Sequence, residues 1–328
     1  MASVIEISDL ITEYGAYYTK GSENESRLYQ LLYHDAETDK LLTPILSDDT
    51  FWKTAKASID RVLQPFQKAW TPISTATFTP LAVEQFRMKI DFELHPDEIY
   101  ASWLGFLRSN SFDRKEWPIV RYLTEELLLK QGKEDWETNE VFYGVQADPT
   151  PGTAGAASTS INGIRFLRNY HINTTGRIEP FVGGAVPTDA SDFLAYVEAF
   201  ADDIDIRYAM KKMVIAMSPT KAKLYGRGYR EVRGKDTDFE KNQMSTVDQT
   251  NLSVIGLPSM VGTDIMFCAP KGNLIKLMPE TVNVNEMKVE NIDRQVKMYT
   301  DWSAGVGIIM PEAFFTNDAD TMGVVGGS

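Results

Sequence analysis

Cysteine is nearly absent from this chain: Cys268 is the only one in 328 residues. An intrachain disulfide is therefore excluded. So is a zinc site built from four cysteines or from cysteines and histidines, because too few ligands exist to surround the ion. Histidine is almost as sparse. His34, His95 and His171 lie far apart, none has a second histidine at metal-ligand spacing, and each reads as a surface or packing residue. No metal and no cofactor is expected.

Long apolar runs are missing as well, since nothing approaches the roughly 20 consecutive apolar residues a membrane-spanning helix needs. The opening residues, Met1-Ala-Ser-Val-Ile-Glu-Ile-Ser-Asp9, lack a basic region followed by an apolar one. We expect synthesis and use in a cytoplasm, with no membrane partner. Positive charge is in short supply: 33 Lys and Arg stand against 46 Asp and Glu, a formal charge of −13. Tight nonspecific binding of nucleic acid is driven by release of phosphate counterions, which an acidic chain does not promote. A local basic patch stays open.

Catalytic signatures are also lacking. There is no Gly-x-x-x-x-Gly-Lys-Ser/Thr, Gly-x-Gly-x-x-Gly, His-Glu-x-x-His or Gly-x-Ser-x-Gly, and Gly226-Arg227-Gly228 lacks the third glycine of a dinucleotide loop. The acidic Asp202-Asp203-Ile204-Asp205 matches no calcium-loop spacing and reads as a solvated helix end. No enzyme active site is expected.

What the chain does contain is an ordinary 43% of hydrophobic residues, enough for a globular core. Apolar recurrence predicts amphipathic helices from Ser26 to about Leu46 and from Asp49 to Gln67. The Thr/Pro-rich run from Trp70 to Pro80 then breaks any helix and suits an extended segment. Next comes the clearest periodicity: Phe86, Met88, Ile90, Phe92 and Leu94 alternate with Arg87, Lys89, Asp91 and Glu93, a half-buried strand with one charged face. Trp117-Pro118 opens a long helix to about Phe142, with Gly132 a place for a kink or early end. Small residues over Asp148–Ser160 form a connection.

Thr188 and Ser191 offer caps for a helix carrying Phe193, Leu194, Tyr196, Val197 and Phe200, with Asp189 and Asp192 suited to its positive end. Met213–Met217 reads as a buried strand, and Ser218-Pro219 as the cap of the next helix. Short strands are predicted at Ser253–Ile255, Ile265–Cys268 and Leu274–Leu277. In Gln295–Trp302, Val296, Met298, Thr300 and Trp302 share one face. The order is α+β without steady βαβ alternation.

This succession resembles the major capsid proteins of tailed bacteriophages, with the Hong Kong 97-type fold. The likeness rests on the Thr/Pro-rich run, the alternating strand, the long helix, the unit Met213–Tyr225 and the closing segment Gln295–Phe315. It implies an N-terminal arm with helical segments (1–70), an E-loop and first peripheral strand (71–100), and a peripheral domain with its spine helix at about 117–143 (101–187). A mainly axial domain (188–280), and a return to the peripheral domain with a C-terminal tail (281–328), would complete it. Ala304-Gly-Val-Gly307 would be the turn and second strand of a closing pair. The region before the E-loop leaves a fused scaffold, a cleaved segment and a separate scaffold all open.

The function the resemblance implies is self-assembly: pentameric and hexameric capsomers closing an icosahedral shell around double-stranded DNA, which it touches only weakly. The implied partners are further copies of the chain and portal, scaffold and decoration proteins. The implied place is the virion, after assembly in a bacterial cytoplasm. Trp70, Phe86 and Met88 would then find cover only in the shell. Arg87 and Lys89, against Asp91 and Glu93, are candidates for charge pairing across subunits, and Arg227 and Tyr229 for the axial rim. An encapsulin-like cellular shell and a cytoplasmic α/β enzyme without known motifs are the alternatives.

Overall fold

The computed structural model describes residues 36–58, 61–73, 75, 77–114, 116–234, 246–280, 288–292 and 295–320. After a 3-10 turn at Thr38–Leu41 comes β1 (Thr43–Leu46), an edge strand parallel to the later β8. Pro44 is tolerated there because an edge strand can lose a ladder donor. The expected helix to Leu46 is thus corrected over its described part, and the remainder lies outside the described residues.

The second expected helix, Asp49–Gln67, is corrected too. β2 (Phe51–Ser58) and β3 (Thr77–Glu84) pair antiparallel from Phe51↔Glu84 to Ser58↔Thr77. The side chains over 51–55 alternate between exposed and half-buried, and Trp52 packs at the hairpin base against a cluster of Val83, Ile275 and Leu277. Long-range pairing overrides the chance helical spacing of Phe51, Ala55, Ile59 and Val62.

The alternating segment forms β4 (Phe86–Leu94) as expected. It is followed by α1 (Pro96–Asn110), which the sequence reading missed although His95-Pro96 places proline in the first helical turn. The long helix, α2, spans 119–140 with Pro118 just ahead of it. Its turns at Tyr122–Leu128 and Trp136–Glu140 are π-helical, and the stretch between them is α. Gly132 marks no break. A Cβ there would come within 3.3 Å of Ile90 Cδ1, so the missing side chain serves close packing on β4. Leu94, Trp103, Leu107, Leu123, Val296 and Met298 bury together between these helices and the sheet.

The chain continues through α3 (Ile164–Asn173), also unforeseen, to α4 (Ala190–Asp202) and a short α5 (Ile206–Ala209). The cap of α4 is Asp189, whose carboxylate accepts from the Ser191 amide at 3.1 Å, rather than Thr188 or Ser191. β5 (Met213–Met217) leads through the Ser218 cap into α6 (Pro219–Arg233) as expected. β6 (Leu252–Gly256), β7 (Phe267–Ala269), β8 (Leu274–Met278), β9 (Lys288–Ile292), β10 (Gln295–Ile308) and β11 (Phe315–Thr316) complete the order.

One sheet runs β1-β8-β10-β4 with β9 also on β10, and another runs β11-β7-β5-β6. β10 serves two partners in succession. Val296–Ala304 pair with β4, and Gly305–Ile308 with β8. Of the turn and second strand expected at Ala304–Gly307, the turn is corrected: all four residues lie within β10, toward its C-terminal end. A Cβ at Gly305 would lie 2.2 Å from the Glu84 carbonyl oxygen, and one at Gly307 2.5 Å from Val83 Cγ2. The glycines let the end of β3 cross directly over β10.

The two sheets share a core. Val306 and Ile308 of the first and Ala216 and Phe267 of the second meet Val141, Phe142, Ile161 and Ile164. Phe193, Phe200, Ile215 and Tyr225 fill a neighbouring cluster under α4 and α6, each fully buried. Such burial stabilises by about 1.5–3 kcal/mol for each large apolar side chain.

Candidate assembly surfaces

The hairpin is the first candidate surface, because its far end places apolar side chains in solvent. Leu63, Phe66 and Trp70 are 83%, 93% and 92% exposed, and Phe78 on β3 is 67% exposed. Local polar contacts shape the tip, with Gln64 Nε2 donating to the Thr71 carbonyl at 2.6 Å. Trp70 thus has little intrachain cover. Phe86 is half-buried, and Met88 is only 9% exposed within the shared core. The expectation that Met88 needs a neighbouring subunit for cover is corrected, since α2 and the sheet already supply it.

The charged face of β4 is exposed but satisfied within the chain. Arg87 bonds to Asp301 on the adjacent strand, Lys89 to Asp91 two residues along, and Lys297 lies 3.9 Å from Glu93. Cross-strand register explains two of these, because Arg87 sits opposite Ser303 and Glu93 opposite Lys297.

On the second sheet, Arg227 points outward from α6, whereas Tyr229 is 8% exposed and belongs to the core under α4. The rim role for Tyr229 is corrected by this burial. Gly226-Arg227-Gly228 has a packing explanation. A Cβ on Gly228 would lie 2.0 Å from the Ala190 carbonyl oxygen, so glycine permits the close crossing of α4 and α6.

Three polar ties hold irregular segments to the scaffold. The Arg168 guanidinium, fully buried, donates to Thr316 Oγ1 at 2.8 Å, to the Asn317 carbonyl at 2.5 Å and to the Ala319 carbonyl at 2.8 Å. Burial lowers its pKa to about 10, with Asp320 opposing that shift. Asn317 accepts from the Met266 amide and donates to the Asp264 carbonyl. Glu140, at the end of α2, accepts from the amides of Ser158 and Ser160 and so fixes the connection that follows. None of these polar residues was singled out from sequence, where a buried arginine looks like any other.

The groups that could suggest chemistry have structural surroundings. Cys268 is buried and desolvation raises its thiol to about 12, so it is a poor nucleophile at neutral pH. Asp205 caps α5 and pairs with Arg207 at 2.5 Å. Among the described residues no cluster of His, Cys, Asp and Glu could hold a metal ion, and no helix is long and apolar enough to cross a membrane.

No protein-family model matches the chain, and no curated protein matches it by sequence. Solved structures do match. A chain in the structure of the satellite phage P4 procapsid including size determination (Sid) protein aligns at 12% identity and TM-score 0.59, over 94% of this chain and 95% of that one. A chain of the capsid of the native GTA particle aligns at 9% identity and TM-score 0.50, over 86% and 95%. The fold is that of subunits in phage-type capsid structures, of mixed helix and sheet. Within that class, the likeness to the phage P4 procapsid chain runs along nearly the whole length of both.

Proposed function

We propose that the chain is the major capsid protein of a tailed phage, a shell subunit rather than a catalyst. It would assemble into pentamers and hexamers that close an icosahedral head around double-stranded DNA. The observation that carries this reading is the hairpin tip. Leu63, Phe66 and Trp70 stand in water on a two-stranded arm whose base is packed and whose end is not. Moving such side chains out of water is worth about 1.5–3 kcal/mol each, a gain reserved for a neighbouring copy.

In this reading the E-loop is the hairpin of 51–84 rather than 71–100, and the N-terminal arm ends near β1. The spine helix is α2, with α1, β4 and β10 around it in the peripheral domain. The four-stranded sheet with α4 and α6 is the axial domain, and the chain returns through β8 to β10. Arg87, Lys89, Asp91 and Glu93 lie exposed beside the peripheral strands, where rearranged pairing across subunits is open to them. Portal, scaffold and decoration proteins are the further partners, contact with DNA is weak, and the shell forms in the host cytoplasm before residing in the virion.

Expression of the chain followed by mass measurement in solution and cryo-electron microscopy tests the proposal. Closed shells or capsomer rings are expected. A discrete monomer or dimer under all conditions would sink it. Phe66→Ser with Trp70→Ala should abolish shells while leaving the unfolding midpoint of the subunit unchanged.

A further inference from the structure

Two helices packed on the second sheet carry opposite charges that are not paired among the described residues. On α6, Lys223, Arg227 and Arg230 are exposed, and their spacing of four and three residues places them in one stripe. On α4, Asp192, Ala195, Ala199 and Asp202 are exposed along one face, which Asp203 at the C-cap continues. None of these six charges has an ionic partner among the described residues. The helices themselves are in direct contact through Gly228 and Ala190, and Arg233 bridges to Glu198 at 2.6 Å across that contact. The outward charges nevertheless do not reach one another.

We infer that in the assembled capsomer the basic stripe of α6 on one copy seats on the acidic face of α4 on the next copy. The inference rests on the shell reading above. A ring of identical subunits joins through a heterologous contact, in which two different patches meet at each seam. Opposite charge on two helices of one domain supplies the complementary pair that such a ring can use. The dimensions are compatible: at helical rise the cations span about 10 Å and the acidic face about 15 Å. Ala195 and Ala199 leave room between the carboxylates for the aliphatic stems of lysine and arginine to lie flat.

Nucleic acid is the weaker fit for the same stripe. The chain carries a formal charge of −13, which works against the counterion-driven binding of phosphate. A rim contact of this kind governs the rate and salt dependence of association as well as partner choice.

Charge exchange tests the inference. The parent chain is compared with K223E/R227E/R230E, with D192K/D202K/D203K and with the chain carrying all six substitutions, each first shown to be folded by circular dichroism. Shell yield is counted by electron microscopy at physiological salt, and retained nucleic acid is measured by absorbance. Each triple variant should lower shell yield by about tenfold or more, since like charges then face each other. The six-substituted chain should recover most of that loss. Unchanged yield in either triple variant, or no recovery on combining them, overturns the contact. Loss of retained nucleic acid with full shell yield would assign the α6 stripe to DNA and also overturn it. If the parent chain forms no shell or ring, the shell reading fails first and takes this inference with it.

Discussion

Lys276 Nζ lies 2.7 Å from Asp39 Oδ2, tying the central strand β8 to the turn that leads into β1, and both side chains are less than one-tenth exposed. The indole N–H of Trp136 donates to the other oxygen of Asp39 at 3.0 Å, and the ammonium sits 4.5 Å from the centre of that ring. Burial lowers the pKa of Lys276, and Asp39 counteracts it. A buried charge that loses its partner is costly, so Asp39→Ala should destabilise the subunit by about 3–5 kcal/mol. Asp39→Leu combined with Lys276→Met should cost less than either change alone. Urea unfolding of the single and double variants measures this, and an additive pair would show that the two residues are not coupled.

Gly307 and Val83 make a second pair whose coupling can be tested. The clash of a Cβ at Gly307 is with the Val83 side chain, whereas that at Gly305 is with the Glu84 backbone oxygen. Gly307→Ala should cost about 1–3 kcal/mol and be partly rescued by Val83→Ala, because a shorter side chain frees the space. Gly305→Ala should find no such rescue, since a backbone carbonyl cannot be trimmed. Thermal unfolding of the single and double variants gives the comparison.

These two glycines also show where the sequence was legible and where it was not. β4, β5 and the Ser218-capped α6 were readable because their periodicity and caps are local properties of the chain. The turn expected at Ala304–Gly307 failed because glycine signals conformational freedom and close approach alike, and only the crossing of β3 distinguishes them. The hairpin strand β2 was misread as a helix because its partner lies beyond a long excursion, and a pairing between Phe51 and Glu84 leaves no local trace. Among the candidate contact residues, Trp70 and Arg227 lie exposed. Met88 and Tyr229 are core residues, since alternation and helical position do not reveal which face a second layer covers.

Arg168 holds the segment from Thr316 to Ala319 through a planar fork of donors aimed at a hydroxyl and backbone carbonyls. Lysine has the charge but not the fork, so Arg168→Lys should be far from conservative. We expect a loss of about 2–4 kcal/mol and faster amide exchange over 315–320, because buried carbonyls lose their donors. Hydrogen exchange read by mass spectrometry checks the location. Uniform exchange across the whole subunit, rather than at this segment, would argue against a local tie.

His171 gives the stability a dependence on mildly acidic pH. Its ring is buried at the end of α3, with Nδ1 3.1 Å from Thr175 Oγ1, and desolvation, aided by the nearby Arg177, lowers its pKa to about 4. In the unfolded chain the same ring titrates near 6.5. Between these values the unfolded state binds a proton that the folded state refuses, so stability rises with pH across the window. The contribution is fully present above about 6.5 and fades as pH falls toward about 4. Allowing for partial solvent screening, it should amount to about 1–2 kcal/mol. His171→Gln cannot titrate there, so the difference in unfolding free energy between the parent and this variant should shrink, or change sign in favour of the variant, between pH 7 and pH 4.5. A difference that stays constant over that range would show that the ring takes up its proton equally well in both states.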